Sequence, residues 1–236
     1  MIISTSLKFA YVHIHKCAGT SVEAALSEVL GYNDLLLGST RRGEADQGFF
    51  QSRLKLNKHS TAREMRDFLG PDRWAQYYTF ALVRHPVDKL RSLYGYCRRL
   101  AADAALSEAE RAGLQEGRYP DRLPFHYNGV KAAVVSDSFE AFVLNPYRKA
   151  DPGAAPLSRS ICDEDGTLIV DELFKIEEIV AAWPRIQERF PGTGPLPVMN
   201  VSSAQTPRGD PFADLGPETK DLLRKEFATD LALLNY

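Results

Sequence analysis

The sequence predicts an α/β fold, a central parallel sheet flanked by helices, and three observations predict it. Phe9 to Leu26 reads as a buried strand, a tight loop and an amphipathic helix. Tyr77 to Tyr96 repeats that order, and Leu173 to Ile176 offers a further strand ahead of another helical pattern. Two strand–loop–helix units imply parallel pairing, because parallel neighbours are joined by crossover helices and not by hairpins.

Taken in order, Phe9, Ala10, Tyr11, Val12 and Ile14 form an apolar run suited to a central strand. Val22, Ala25, Leu26 and Val29 then fall at helical spacing, with Gly31 as a stop. Leu35 to Leu37 reads as a short buried segment, and Ser39 to Phe50, polar, basic and glycine-containing, as an exposed loop. Ser60 or Thr61 caps a helix carrying Met65, Phe68 and Leu69, which Gly70-Pro71 ends, so His59 falls in the loop just before a helix. Tyr78 to Val83 is the second apolar run, and Pro86 opens a helix bearing Val87, Leu90, Tyr94 and Cys97.

Ala101 to Gly113 reads as helical and Gly117 to Gly129 as an irregular loop rich in polar and aromatic groups. Ser138 to Leu144 starts a short helix stopped near Asn145-Pro146. Ile161 to Val170 reads as two short strands around an Asp-Gly turn. Ile179, Trp183, Ile186 and Phe190 mark a helix that Pro184 kinks or restarts. Asn200 to Asp210 is a polar loop, and Leu223, Phe227, Leu231 and Leu234 give one C-terminal helix its packing face.

At 236 residues with 44% apolar content the chain is long enough for one substantial core, and a single domain over residues 1–236 is expected. A net charge of −2 argues against nucleic-acid binding driven by bulk charge. Cys17, Cys97 and Cys162 are widely spaced and include no CxxC pair, which fits a reducing compartment and suggests no zinc site. No basic segment leads into a long apolar run at the N-terminus, and no apolar run reaches membrane-spanning length. A soluble, cytoplasmic protein is the expectation.

Ligands of parallel α/β sheets bind at the carboxyl ends of strands. In the first unit that place is His15-Lys16-Cys17-Ala18-Gly19-Thr20-Ser21. A strand turning sharply into a helix aims free N–H groups and the positive end of the helix dipole at one point, which suits an anion. Lys16 adds a cation, Ala18 and Gly19 permit close backbone approach, and Thr20 and Ser21 add hydroxyls. The plainer alternative is a turn whose Thr or Ser is only an N-cap. In the second unit Arg84 offers a planar fork suited to phosphate and Ser92 a hydroxyl on the following helix. A structural ion pair and an ordinary polar helix position explain these two residues equally well. Neither GxxxxGK[ST] nor GxGxxG occurs, so the usual ATP and NAD readings lose ground.

Together these segments resemble the PAPS-dependent sulfotransferases of the carbohydrate type, sulfotransferase family 2. His15 to Ser21 is similar to their 5′-phosphosulfate loop, a Pro-Lys-x-(Gly/Ala)-Gly-Thr-Ser pattern, and Phe80 to Pro86 with Leu90 and Ser92 to their 3′-phosphate motif. Lys58-His59-Ser60-Thr61 lies between them as in that branch, while Phe174 to Ile179, Asn200-Val201-Ser202 and the Asp230-Leu231 stretch resemble its weaker landmarks. His15 departs from the pattern, which commonly has proline there.

The resemblance implies a P-loop-like sulfotransferase fold and transfer of a sulfuryl group from PAPS to an acceptor hydroxyl, releasing PAP, without a metal. It implies Lys16, Cys17, Ala18, Gly19, Thr20, Ser21, Arg84 and Ser92 as nucleotide-binding residues, Lys16 as stabiliser of the leaving group and His59 as general base. Glu23 is a rival base, although carboxylates at helix starts commonly serve as caps or dipole partners. The acceptor expected is a carbohydrate or glycoconjugate, with an acidic sugar favoured if Arg41, Arg42, Arg53, Lys55, Lys58, Arg98, Arg99, Arg118 or Arg122 face it. Two other readings stand beside this one: a nucleotide-dependent kinase on a related fold, and a non-catalytic PAPS-binding protein.

Overall fold

A computed structural model describes residues 1–103, 106–118, 128–199 and 209–236. Its elements begin with strands β1 (Ile2–Ser4) and β2 (Phe9–Val12), helix α1 (Gly19–Ser27), strand β3 (Leu35–Leu36), helices α2 (Arg41–Leu54), α3 (Ala62–Leu69) and α4 (Pro71–Trp74), and strand β4 (Tyr78–Val83). Helices α5 (Pro86–Asp103), α6 (Glu108–Gln115), α7 (Asn128–Val134), α8 (Phe139–Leu144), α9 (Pro146–Lys149) and α10 (Ser158–Ile161) follow. Strand β5 (Glu172–Lys175) and helices α11 (Ile179–Arg189), α12 (Pro217–Glu226) and α13 (Ala228–Leu233) complete the order. The chain forms two compact units, one holding Met1–Arg84 and the segment from Leu157 through α11, the other His85–Pro156 with α12 and α13.

The first unit is a mixed α/β structure on a five-stranded sheet of order β3-β1-β2-β4-β5. Strand β4 lies parallel to both β2 and β5, whereas β1 is antiparallel to β2 and β3. One strand therefore opposes the other four, so the expected central parallel sheet is found as a mostly parallel one with β1 reversed. The physical reason is the short link Thr5 to Lys8 between β1 and β2, which has room for a turn but not for a crossover helix. Asp34 secures that turn, accepting hydrogen bonds from the N–H groups of Thr5 (2.7 Å), Ser6 (3.0 Å) and Gly31 (2.8 Å) and from the Ser4 hydroxyl (2.8 Å). Aromatic rings fill the core beneath the sheet, with Phe9 4.4 Å from Phe190 and Tyr11 5.1 Å from Phe80 between ring centroids.

Several other expectations change. Ser39 to Phe50 is not a loop: α2 occupies most of it, opened by Thr40, whose hydroxyl accepts from Gly43 N–H at 3.1 Å, and closed by Lys55 in the left-handed conformation. Of its residues only Gly43 is buried, so no apolar stripe betrays the helix. The hairpin expected over Ile161 to Val170 reduces to a single bridge between Cys162 and Leu168, and Ile161 belongs to α10. Helix α11 runs through Pro184 without restarting. The C-terminal pattern is split at Phe227 (φ −107°, ψ 20°) into α12 and α13. The expected loop over Gly117 to Gly129 falls largely, and the Asn200 to Arg208 segment wholly, outside the described residues.

In the second unit, Val87, Leu90, Leu93 and Cys97 of α5 pack with Val130, Phe142, Val143, Leu223 and Phe227. Two buried cations brace this core. Arg148 donates from Nε and Nη2 to Val143 O (3.0 and 2.7 Å) and pairs with the Glu226 carboxylate, and Lys89 donates to Gly153 O (2.8 Å) and Ala155 O (2.6 Å).

Burial alone would raise the Asp34 carboxyl, yet hydrogen bonds from Ser6, Gly31 and Ser4 hold its pKa at about 2. A carboxyl depressed in the folded state adds stability above its unfolded pKa and loses it on acidification. Asp34→Ala should therefore cost about 2 kcal/mol at neutral pH in denaturant melts. The difference between mutant and wild type should close as pH falls from about 4 toward about 2.

Candidate active site

Strand β2 ends at Val12, opposite Ala81, and β4 continues to Val83. Because the two strands run parallel, the residues leaving them, His13 to Lys16 and Arg84, emerge at the same edge of the sheet. The turn after β2 is tightly wound: Lys16 (φ 63°) and Ala18 (φ 56°) both take the left-handed conformation, and Ala18 is the N-cap of α1. Alternating backbone hands of this kind turn successive N–H groups inward as an anion-binding concavity. Helix geometry leaves the N–H groups of Gly19 and Thr20 without intrahelical acceptors, whereas Ser21 N–H already bonds Ala18 O at 3.0 Å. Of the two hydroxyls, Ser21 is buried and accepts from Met199 N–H at 3.4 Å, while Thr20 lies 3.4 Å from the Ser39 hydroxyl. Cys17 is fully buried, so its contribution to any ligand is through the backbone.

Beneath the turn lies a buried polar cluster. The Glu23 carboxylate, wholly inaccessible, accepts from His13 Nδ1 at 2.6 Å, from the Met1 amino group at 3.1 Å and from Ser39 N–H at 3.0 Å. Burial would raise its pKa, but the His13 hydrogen bond and the nearby positive groups hold it at about 2. Burial pushes His13 down to about 4 despite Glu23, so its ring is neutral and donates from Nδ1. Two glycines admit this pair. A Cβ on Gly19 would overlap the His13 ring, and one on Gly38 would overlap the Glu23 carboxylate. Glu23 is thus neither an N-cap nor a solvent-facing base. It holds His13.

His59 sits against the residues that lead into the turn. Its Nδ1 lies 2.9 Å from His13 O, and its ring stacks on His15 with centroids 3.4 Å apart. Burial first, and then the adjacent His15 and His13 rings, push its pKa well below the usual imidazole value. A neutral ring facing a carbonyl oxygen must donate from Nδ1, which leaves the Nε2 lone pair as a proton acceptor. Lys58, its neighbour, donates from Nζ to Ser39 Oγ and so links His59's loop to the Thr20 end of α1.

The second unit carries the remaining residues expected to matter. Ser92 is half-buried on α5. His85 is buried, packs edge-on against Phe212 and Tyr236, and accepts Val87 N–H at 3.2 Å, the work of a helix cap. Among the described residues no cluster of three His, Cys, Asp or Glu side chains is arranged to hold a metal ion, and no helix is long and apolar enough to cross a membrane.

The sulfotransferase family 2 model, described as "Sulfotransferase family", matches residues 1–236. The chain belongs to the sulfotransferase family. Comparisons with curated proteins and with solved structures give no match. Membership supports a transferase activity of the sulfotransferase type and a sulfonate donor.

For a sulfotransferase, two residues of this cluster, His13 and Ser39, were missed from the sequence, and the role of Glu23 was misread. The signal lay in Glu23, a carboxylate on the same face of α1 as Val22 and Leu26, since a charge on an apolar stripe implies a buried partner. Of the basic residues suggested for an acidic acceptor, Arg42 is committed to Tyr32 O (2.6 Å) and Asp34 O (2.9 Å), Arg118 pairs with Glu116 (2.7 Å), and Lys58 stands beside His59.

A base whose pKa is depressed by folding is penalised whenever the unfolded chain takes up its proton first. Between pH 6.5 and about 4 the folded sulfotransferase should therefore lose stability as His13 is forced to remain neutral. The Met1 amino group, lowered by burial to about 6, acts in the same direction at higher pH. His13→Asn should be less stable by about 2 kcal/mol at pH 7, but thermal melts should show a flatter slope over that acid window.

Proposed function

We propose that this sulfotransferase moves a sulfuryl group from PAPS to an acceptor hydroxyl, releasing PAP, within a P-loop-like nucleotide cradle. One observation carries the reading: the parallel register of β2 and β4 delivers the Lys16 turn and Arg84 to a single sheet edge, with His59 held against the first. PAPS is anionic at both ends, and the residues fit both demands. Left-handed Lys16 and Ala18 and the open N–H groups of Gly19 and Thr20 suit the phosphosulfate end. Arg84 suits the 3′-phosphate as a planar, permanently charged fork, and Ser92 is proposed as the accompanying hydroxyl from the resemblance to the family motif alone.

In this reading each residue has one task. His59 Nε2 takes the acceptor's hydroxyl proton as the new O–S bond forms, while its Nδ1–H stays on His13 O. Lys16 and the α1 N–H groups stabilise the charge left on the phosphate oxygen as the old S–O bond breaks. Positioning and fixed charge supply the rate acceleration, as in phosphoryl transfer, and the scheme uses no metal. A carbohydrate or glycoconjugate acceptor is proposed on the strength of the family branch, and Lys58 is the cation beside the base that an acidic sugar would meet.

Incubation with labelled PAPS and a panel of sugar acceptors, read as the mass gain of one sulfuryl group, tests the reading directly. Lys16→Ala should reduce transfer by about two to four powers of ten. His59→Ala should reduce transfer by at least about a hundredfold while retaining PAP affinity, and Arg84→Ala should weaken PAP binding first. Unchanged transfer by His59→Ala protein removes that residue as the base.

A further inference from the structure

We propose that His15 is a positioning residue for His59: its imidazole, stacked on the His59 ring, fixes the plane of that ring and keeps it neutral. The inference rests on the assignment of His59 as the base. A single hydrogen bond through Nδ1 to His13 O fixes one atom of the ring but leaves rotation about that bond open. Two further contacts remove this freedom. The His13 ring meets His59 edge-on at 4.7 Å and 69°, and the His15 ring lies nearly parallel to it at 3.4 Å and 21°. With edge and face both occupied, Nε2 has one direction left to point.

The same stack sets the cost of placing a proton on His59. His15 covers one face against water, and an imidazolium loses stabilisation when hydration is removed. The ionisable groups around His59 reinforce this. His15 and His13 face the ring, Lys58 adjoins it in sequence, and the Glu23 carboxylate and Met1 amino group lie behind His13. Glu23 is the one negative group in this set, and His13, the Met1 amino group and Ser39 N–H engage it. His15 stands where the related motif commonly has proline, so the stack is a property of this chain's own residue.

Histidine-labelled protein saturated with PAP, observed by nitrogen NMR through a pH titration, tests the proposal without requiring the natural acceptor. Wild-type His59 should show the Nδ1–H tautomer and remain unprotonated from about pH 8 to about pH 5. His15→Ala should raise the His59 titration by at least about one pH unit and mix its tautomers. His15→Phe, which keeps an aromatic face, should restore the single tautomer. Sulfuryl transfer to water, measured as PAP release from PAPS, should fall about tenfold in His15→Ala and recover in His15→Phe. PAP affinity and melting temperature, measured on each variant, confirm an intact fold.

The role of His15 is overturned if folded, PAP-binding His15→Ala protein keeps the wild-type tautomer and titration, or if His15→Phe is as impaired as His15→Ala. His59→Ala separates the two levels of the argument. Undiminished PAP release there overturns the base assignment and this inference together, whereas lost release combined with an unaltered His15→Ala titration overturns the role of His15 alone.

Discussion

The first unit is arranged around the needs of one buried carboxylate. Glu23 on α1 is fully removed from water, and an unpaired charge in that position would cost several kcal/mol. Its partners come from separate stretches of chain: His13 just beyond β2, Ser39 at the end of β3's loop, and the Met1 amino group at the start of β1. Satisfying one side chain therefore brings α1, the end of β2 and the approach to α2 into register. The Met1 amino group extends the same network to Leu37 O (2.6 Å) and Lys58 O (2.8 Å), which anchors the loop that carries His59.

Because Glu23 is occupied, the groups that stand above it are neutral imidazole and backbone. His13 is pinned by its Nδ1–H, and its carbonyl faces Nδ1 of His59. Local chain geometry does the rest. Left-handed Lys16 and Ala18 bend the backbone so that a strand residue and a helix N-terminus lie only a few positions apart. A cation, a set of N–H donors and an imidazole are thereby gathered by rigid elements, which is what the proposed in-line transfer would require.

Much of this was legible in the sequence, for identifiable reasons. The runs ending at Val12 and Val83 are almost wholly apolar because both strands are buried along nearly their whole length, and Pro86 and Thr61 mark helix starts with local chemistry. Features decided by tertiary contact were not legible. Helix α2 has almost no buried face, so it left no periodic signal, and its helical state is visible only in its caps. Strand β1 is three residues long and takes its identity from its neighbours. At the site, the sequence pointed to Lys16 and His59, but the His13–Glu23 pair joins residues whose relation appears only when α1 packs against the end of β2. Likewise His15 read as a departure from a motif, when its ring in fact covers the face of His59.

The two glycines that flank the buried pair carry a consequence for how the chain can diverge. Gly19 presses on the His13 ring and Gly38 on the Glu23 carboxylate, so neither position has room for even a methyl group while both partners are present. A descendant sequence can enlarge Gly19 only after a smaller residue has replaced His13, and Gly38 only after one has replaced Glu23, and either replacement breaks the hydrogen bond between the pair. The order in which changes can accumulate in this corner of the molecule is thus set by crowding alone, whatever reaction is under selection.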